Sequence, residues 1–298
     1  MSDPVGGVGG LGGVGGVGDV RRHRIVHKTT IGYVKRATAS YNELRMTPST
    51  EPGQTTLENR LRVRPMTWSH VYRDYWGAHV TAMEAIGEHS SLDVEATSTV
   101  ERSNSVPLPE GGSWDDLGDR RLRDRLVEFL VLDESTQPDD ELLALAQEAR
   151  GPRSPRDTAY RVVEVVRERM TYQTGVTNVH SSARQAWGEG RGVCQDFAHV
   201  TIGALRALGM PARYVSGYLA PKRDSEVGET SKGESHAWVE FWDGGWMPFD
   251  PTNGVFVGLD HVVVVRGRDY SDVQPFKGVY SGAADSTLAV EVVFTRLR

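Results

Sequence analysis

A change of apolar period part-way along the chain restricts its fold more than any other feature. From Arg22 to about Arg102 apolar residues recur at every second position, in the runs "RIVHKTTIGYV", "TTLENRLRVRP", "HVTAMEAIG" and "SLDVEATSTVE", broken by "MTPSTEPGQ" and "YWGA". In the last run Leu92, Val94 and Ala96 alternate with Asp93, Glu95 and Thr97, as strands do when one face meets a core and the other meets water. The connection "SNSVPLPEGGSWDDLGD" follows, rich in turn-forming residues, and beyond it the period becomes helical. "RRLRDRLVEFLVL" and "DELLALAQEAR" read as short amphipathic helices, and Ala159, Val162, Val163, Val166 and Met170 share one face of "PRDTAYRVVEVVRERM". Strand-like runs then return: "ARYVSGYLA", "SHAWVEFW", "GGWMPFD", "HVVVVRG" and "LAVEVVFTRL". This order predicts an α+β chain: an N-terminal antiparallel β domain over residues 20–106, then a domain over 107–298 in which a helix packs on an antiparallel sheet. Residues 1–19 form a Gly/Val segment too poor in apolar side chains to build a core, and disorder is expected there.

Charge and composition exclude several functions. The net charge is −6 with a pI near 5.9, and basic residues are scattered, which argues against nucleic acid as a partner. The one basic cluster, "RRHR" at residues 21–24, is expected on the solvated surface. No run is apolar enough for a signal peptide core or a membrane span, so a soluble protein without a membrane partner is expected. Cys194 is the only cysteine, so no disulfide forms within the chain, which fits a reducing, cytoplasmic setting.

That cysteine begins a helix. In "GVCQDFAHVTIGALRALGMP", Ala198, Ile202, Leu205 and Leu208 form an apolar stripe, Gly209 can close the helix in the left-handed conformation, and Pro211 stops it. The helix is predicted from Cys194 to about Leu208. A lone thiol is ordinarily a small buried hydrophobe. A thiol at a helix N-terminus, where free N–H groups and the macrodipole favour the thiolate, is placed to react. It then needs a base, and the base needs a third group to orient it. His236 in "SHAWVEFW" and Asp250 in "GGWMPFDPTNG" are candidates, on strands joined by a turn at "WDGGW". Counted from Gly244 they lie eight and six residues out, so a bulge or a cross-strand diagonal must bring them together. Each also has an ordinary structural role open to it, a hydrogen-bonded core histidine and an aspartate opening a turn before Pro251.

Cys194, His199, His236 and Asp250 are also admissible zinc ligands. His199, five residues after Cys194, lies about 140° further round the helix, so the two do not share an ion. No metal or cofactor is expected. The segment "APKRDSEVGETSKGE", residues 220–234, is read as a loop and a candidate mobile rim over a cleft next to His236.

"GVCQDFAHVTIGALRALGMPARYVSGYL", "SHAWVEFW", "GWMPFDPTNG" and "HVVVVRGRDYSDVQPFKGVY" resemble the transglutaminase-like superfamily, particularly its bacterial branch with an N-terminal β domain. "SYNELRMTPSTEPGQ" and "YRDYWGAHV" resemble that branch's first domain. The resemblance implies a papain-like core in which Cys194 is the nucleophile, His236 the general base and acid, and Asp250 the group that orients the imidazole. It implies a protein or peptide substrate with an amide group, cleaved through a thioester released to water or to an amine. The backbone N–H of Cys194 would be one oxyanion donor; Gln185, Trp187, Tyr172 and Gln173 are candidates for the second. No EF-hand spacing is present, so activity without a metal is expected. The alternative is a non-catalytic binding or scaffold module on the same fold.

Overall fold

The computed structural model describes residues 18–221, 225–282 and 285–298. Residues 1–17 of the Gly/Val segment lie outside it. Four antiparallel strands open the chain: β1 (Val20–Leu44), β2 (Gln54–Arg64), β3 (Trp68–Arg73) and β4 (His79–Ser103). β1 and β4 run alongside each other for nearly their whole length, and β2 and β3 flank β4. The alternation expected around residue 94 is present: Leu92, Val94 and Ala96 are buried, and Asp93 and Glu95 face out.

The "RRHR" cluster lies on the surface only in part: Arg24 is exposed, Arg21 and Arg22 are partly so, and His23 is buried. The cluster belongs to β1, where alternation turns His23 into the core and pairs Arg21 with Asp260 (2.5 Å) and Arg22 with Glu101 (2.7 Å). A run of like charges on a strand is split between two faces, which its sequence alone conceals.

Helices follow: α1 (Trp114–Gly118), α2 (Arg120–Arg125), α3 (Asp140–Arg150), α4 (Pro155–Arg169), α5 (Ala183–Glu189) and α6 (Cys194–Ala207). A short parallel pair, β5 (Thr171–Tyr172) and β6 (Arg191–Gly192), leads into α6. The predicted end of α6 is found, with Leu208 as C-cap and Gly209 at φ +82°. The expected single apolar stripe is not. Every residue from Gln195 to Arg206 is buried, because α6 lies between the sheet and helices α3, α4 and α5. Its one arginine is paired inside: Arg206 donates to the carbonyls of Ala212, Val131 and Arg268. Where α6 crosses the loop at Thr136, Gly203 is required, since a Cβ would lie 2.0 Å from the Thr136 carbonyl oxygen.

After α6 come β7 (Ala212–Leu219), β8 (Thr230–Trp242), β9 (Trp246–Asp250), β10 (Val255–Phe256), β11 (His261–Gly267), α7 (Tyr270–Val273), β12 (Phe276–Ser281) and β13 (Ser286–Arg296). β11 pairs with β7, β7 with β8, and β8 with β9. β12 and β13 return to β1, so strands from the end of the chain complete the sheet begun at its start. β8 joins the two regions: Thr230–Gly233 pairs with β13, then Glu234–Phe241 pairs with β7. Among the described residues the result is one eleven-stranded sheet.

The 220–234 segment is therefore only partly a loop. Its residues from Thr230 are strand, and Gly233 is needed where β8 passes Phe294, whose ring would lie 2.4 Å from a Cβ. Residues 222–224 of the expected rim lie outside the described set. Among the described residues no helix is long and apolar enough to cross a membrane.

His27 of β1 and His199 of α6 are buried. Nδ1 of His27 meets the Tyr218 hydroxyl (2.9 Å) and Nε2 of His199 accepts from the Tyr270 N–H (3.2 Å). Burial lowers both from 6.5 to about 4. The unfolded chain thus binds more protons between those values, and stability is full above pH 6.5 and falls as pH drops toward 4. The expected loss is on the order of 3 kcal/mol per histidine at full titration. Urea midpoints at pH 7 and pH 4.5 measure it; equal midpoints would contradict the neutral assignment.

Candidate active site

The first turn of α6 is built around one buried carboxylate. Asp196, at the third helical position, turns back so that Oδ2 accepts from the Val193 N–H (2.7 Å) and from the Thr177 hydroxyl (2.7 Å). Burial raises its pKa, and these two hydrogen bonds oppose that rise. The carboxylate folds directly over Gly192, where a Cβ would lie 2.4 Å from Oδ2. Gln195 bonds the Val179 carbonyl (3.2 Å), so the 173–182 loop is tied to the same turn at two points. Cys194 is left at the first helical position, half-buried, with an N–H that has no acceptor within the helix. A thiol serving only as core filler would be sealed in; this one reaches the surface of the core.

His236 sits three residues after β8 leaves β13. The hairpin to β9 turns about Gly244 (φ +74°) with Val239 opposite Phe249. That register sets Asp250 opposite Trp238, so His236 and Asp250 meet on the diagonal, one of the two arrangements the offsets allowed. His236 Nε2 lies 2.8 Å from Asp250 Oδ2. With Nε2 engaged, Nδ1 is the ring nitrogen left free, and the Cys194 sulfur lies close enough to act on the ring. Burial alone would lower the imidazole; the Asp250 carboxylate and the Cys194 sulfur outweigh it and push it up to about 10. The structure thus brings all three predicted side chains together.

Asp250 is fully buried and accepts five hydrogen bonds. Oδ1 takes the N–H groups of Thr252 (3.0 Å) and Asn253 (3.1 Å), and Oδ2 takes His236, His261 Nε2 (3.2 Å) and Asn253 Nδ2 (2.7 Å). Burial opposes the charge, but these donors hold the carboxyl well below its usual range. Both structural roles weighed for these residues are present too, since Oδ1 does open a turn.

Three tyrosines lie within electrostatic reach of the sulfur: Tyr172 of β5, Tyr214 of β7 and Tyr270 of α7. Burial raises each, and Cys194 raises each further; Tyr172 reaches about 12. Of the other side chains considered for an oxyanion, Trp187 is buried with its indole donating to Glu141 (2.9 Å), and Gln185 caps α5 through the Ser182 N–H (2.9 Å). Gln173 is exposed. Trp238 is buried, lies on Gly217 and stands edge-on to His261 at 5.3 Å.

His236, Asp250 and His261 could be mistaken for a metal centre, with ligand atoms within 4.8 Å of one another. The shared Oδ2 already accepts from three side-chain N–H donors, His236, His261 and Asn253, so its lone pairs are used within the protein. Cys194 and His199 take no part in that cluster.

The sequence reading missed His261, Asn253, Trp238, Asp196 and Thr177. The "DPTN" turn was a usable signal for Asn253. His261 gave none, because its approach depends on β11 pairing with β7.

Residues 143–251 match the model of the transglutaminase-like superfamily core, and residues 23–101 match the bacterial transglutaminase-like N-terminal region. An uncharacterized protein of Mycobacterium leprae is 42% identical over 276 residues, which is 93% of this chain and 99% of that protein. An uncharacterized protein of Mycobacterium tuberculosis is 30% identical over 292 residues, covering 91% of each. The crystal structure of a proposed cysteine protease from Cytophaga hutchinsonii shares the fold, with a TM-score of 0.74 at 22% identity over 94% of this chain and 92% of that one. With both models matched in order, and a relative matched almost end to end, the chain belongs to the transglutaminase-like superfamily and carries the N-terminal region of its bacterial members.

Proposed function

We propose that the protein is a cysteine enzyme acting on carboxamide or peptide bonds of a protein or peptide substrate. One observation carries this reading: Asp250 holds His236 by Nε2 while the Cys194 sulfur lies close enough to act on the same imidazole, so a proton can pass between sulfur and ring. The Cys194 sulfur attacks the amide carbonyl carbon, and the oxyanion forms against the Cys194 N–H. Tyr172, the candidate left beside the sulfur, supplies the second donor. His236 then gives its proton to the nitrogen as the C–N bond breaks, leaving a thioester on Cys194. Water or a second amine attacks the thioester, His236 takes the incoming proton, and the thiolate is released.

A binding or scaffold module would need none of this. Five donors converging on one buried carboxylate behind a half-exposed thiol serve no recognition surface. The test is to mix the protein with a peptide amide or activated ester, quench in acid, and analyse the peptides by mass spectrometry. The acyl mass should appear on the Cys194 peptide and vanish with hydroxylamine. Acylation elsewhere, or none in a folded sample, would sink the reading.

A further inference from the structure

His261 is the buried titratable side chain at this site for which the reaction has no use. It opens β11 and is buried. Its hydrogen bonds fix its tautomer. The Gly258 N–H donates to Nδ1 (3.2 Å), so Nδ1 carries no proton, and the neutral ring holds its hydrogen on Nε2. That Nε2 faces Asp250 Oδ2 at 3.2 Å, the oxygen that also receives His236. The charged and titratable groups around the trio are few. His236 on β8 faces Asp250 and Cys194; Asp250 on β9 faces the two histidines; His261 faces Asp250, His236 and, across from β4, Arg102. Burial, with help from His236 and Arg102, keeps His261 below its usual value and therefore uncharged.

We propose that His261 is a positioning residue: its fixed Nε2–H competes with His236 for Asp250 Oδ2 and so limits how strongly that carboxylate holds the imidazolium. The role rests on the enzymatic reading above. Asp250 must orient His236 without trapping its proton, because the proton has to leave for the departing amine. A second neutral donor on the same oxygen draws charge from it and weakens its pull on the ring. Removing that donor makes Asp250 a stronger partner, so His236 keeps its proton to higher pH.

Alkylation of the full chain by iodoacetate tests this without a substrate. Cys194 is the only thiol, and the anionic reagent reacts more slowly once the neighbouring imidazolium loses its proton. The basic limb of the rate profile therefore reports His236. His261→Phe keeps the ring shape beside Trp238 and deletes the donor; it should move that limb upward by about half a unit to one pH unit. His261→Gln can still donate to Asp250 and accept from Gly258, and should leave the limb in place. An unshifted limb in folded His261→Phe, or an equal shift in both variants, would overturn the proposal. Should the Phe variant fail to fold, 15N chemical shifts of His261 in the unaltered protein decide: a proton on Nε2 supports the role and one on Nδ1 overturns it. A basic limb that survives His236→Ala would instead remove the enzymatic reading, and this role with it.

Discussion

Cys194→Ala should lower amide turnover by at least about 10⁴-fold and leave the unfolding midpoint almost unmoved. The two halves follow from different features of one position. The thioester cannot form without the sulfur, and no other thiol in the chain can substitute. The side chain is half-buried at the first position of α6, so its removal opens no sealed cavity. The turn beneath it is held by Asp196 through Val193 and Thr177, which the substitution does not touch. His236→Ala should abolish activity nearly as completely, and the double variant should be little worse than either, because groups that share one step are not additive. Residual turnover above a few per cent in Cys194→Ala would place the chemistry elsewhere. A drop of more than about 2 kcal/mol in stability would mean that the thiol was core after all.

The local half of this arrangement was legible in the sequence, and the non-local half was not. Gly209 and Pro211 marked the end of α6, so its start at Cys194 could be placed. The turn at Gly244 gave the hairpin, and simple counting limited His236 and Asp250 to two relative placements. All three depend on residues within about fifteen positions of one another. By contrast, His261 reaches Asp250 only because β11 crosses to pair with β7, and β12 and β13 return to β1 across most of the chain. Apolar alternation says that a segment is a strand and which face is buried, never which strand lies beside it. The all-round burial of α6 was hidden for the same reason. Its stripe was visible, but Asp196, His199 and Arg206 look like a wet face until the Thr177 hydroxyl, the Tyr270 N–H and the Ala212 carbonyl that pair with them are in place. The 220–234 segment misled differently: its composition is that of a loop, yet glycine at 233 serves close strand packing against Phe294.

Asp250→Ala should both disable and destabilise the protein, and the pH at which it destabilises separates two explanations. The carboxylate opens the "DPTN" turn through Oδ1 and holds His236 through Oδ2. Deleting it strands five donors, two of them on the buried rings of His236 and His261, at a cost on the order of 3–5 kcal/mol, and frees the imidazole, lowering turnover by about 10²–10⁴-fold. A carboxylate that only organised a turn would stabilise equally at every pH above its own titration. One paired with a protonated histidine would not. Asp250 is depressed in the folded chain, so its contribution is full above the unfolded value of 3.8 and is lost as pH falls well below it. His236 is raised, so its contribution is full below 6.5 and is lost as pH rises toward 10. The stability gap between the unaltered protein and Asp250→Ala should therefore be widest between about pH 4 and 6.5 and narrow steadily toward pH 9. Urea unfolding at pH 5.5, 7.5 and 9 measures that gap. If it stays constant, Asp250 is a turn residue that happens to lie beside a histidine, and the proton pathway from sulfur to imidazole loses its anchor.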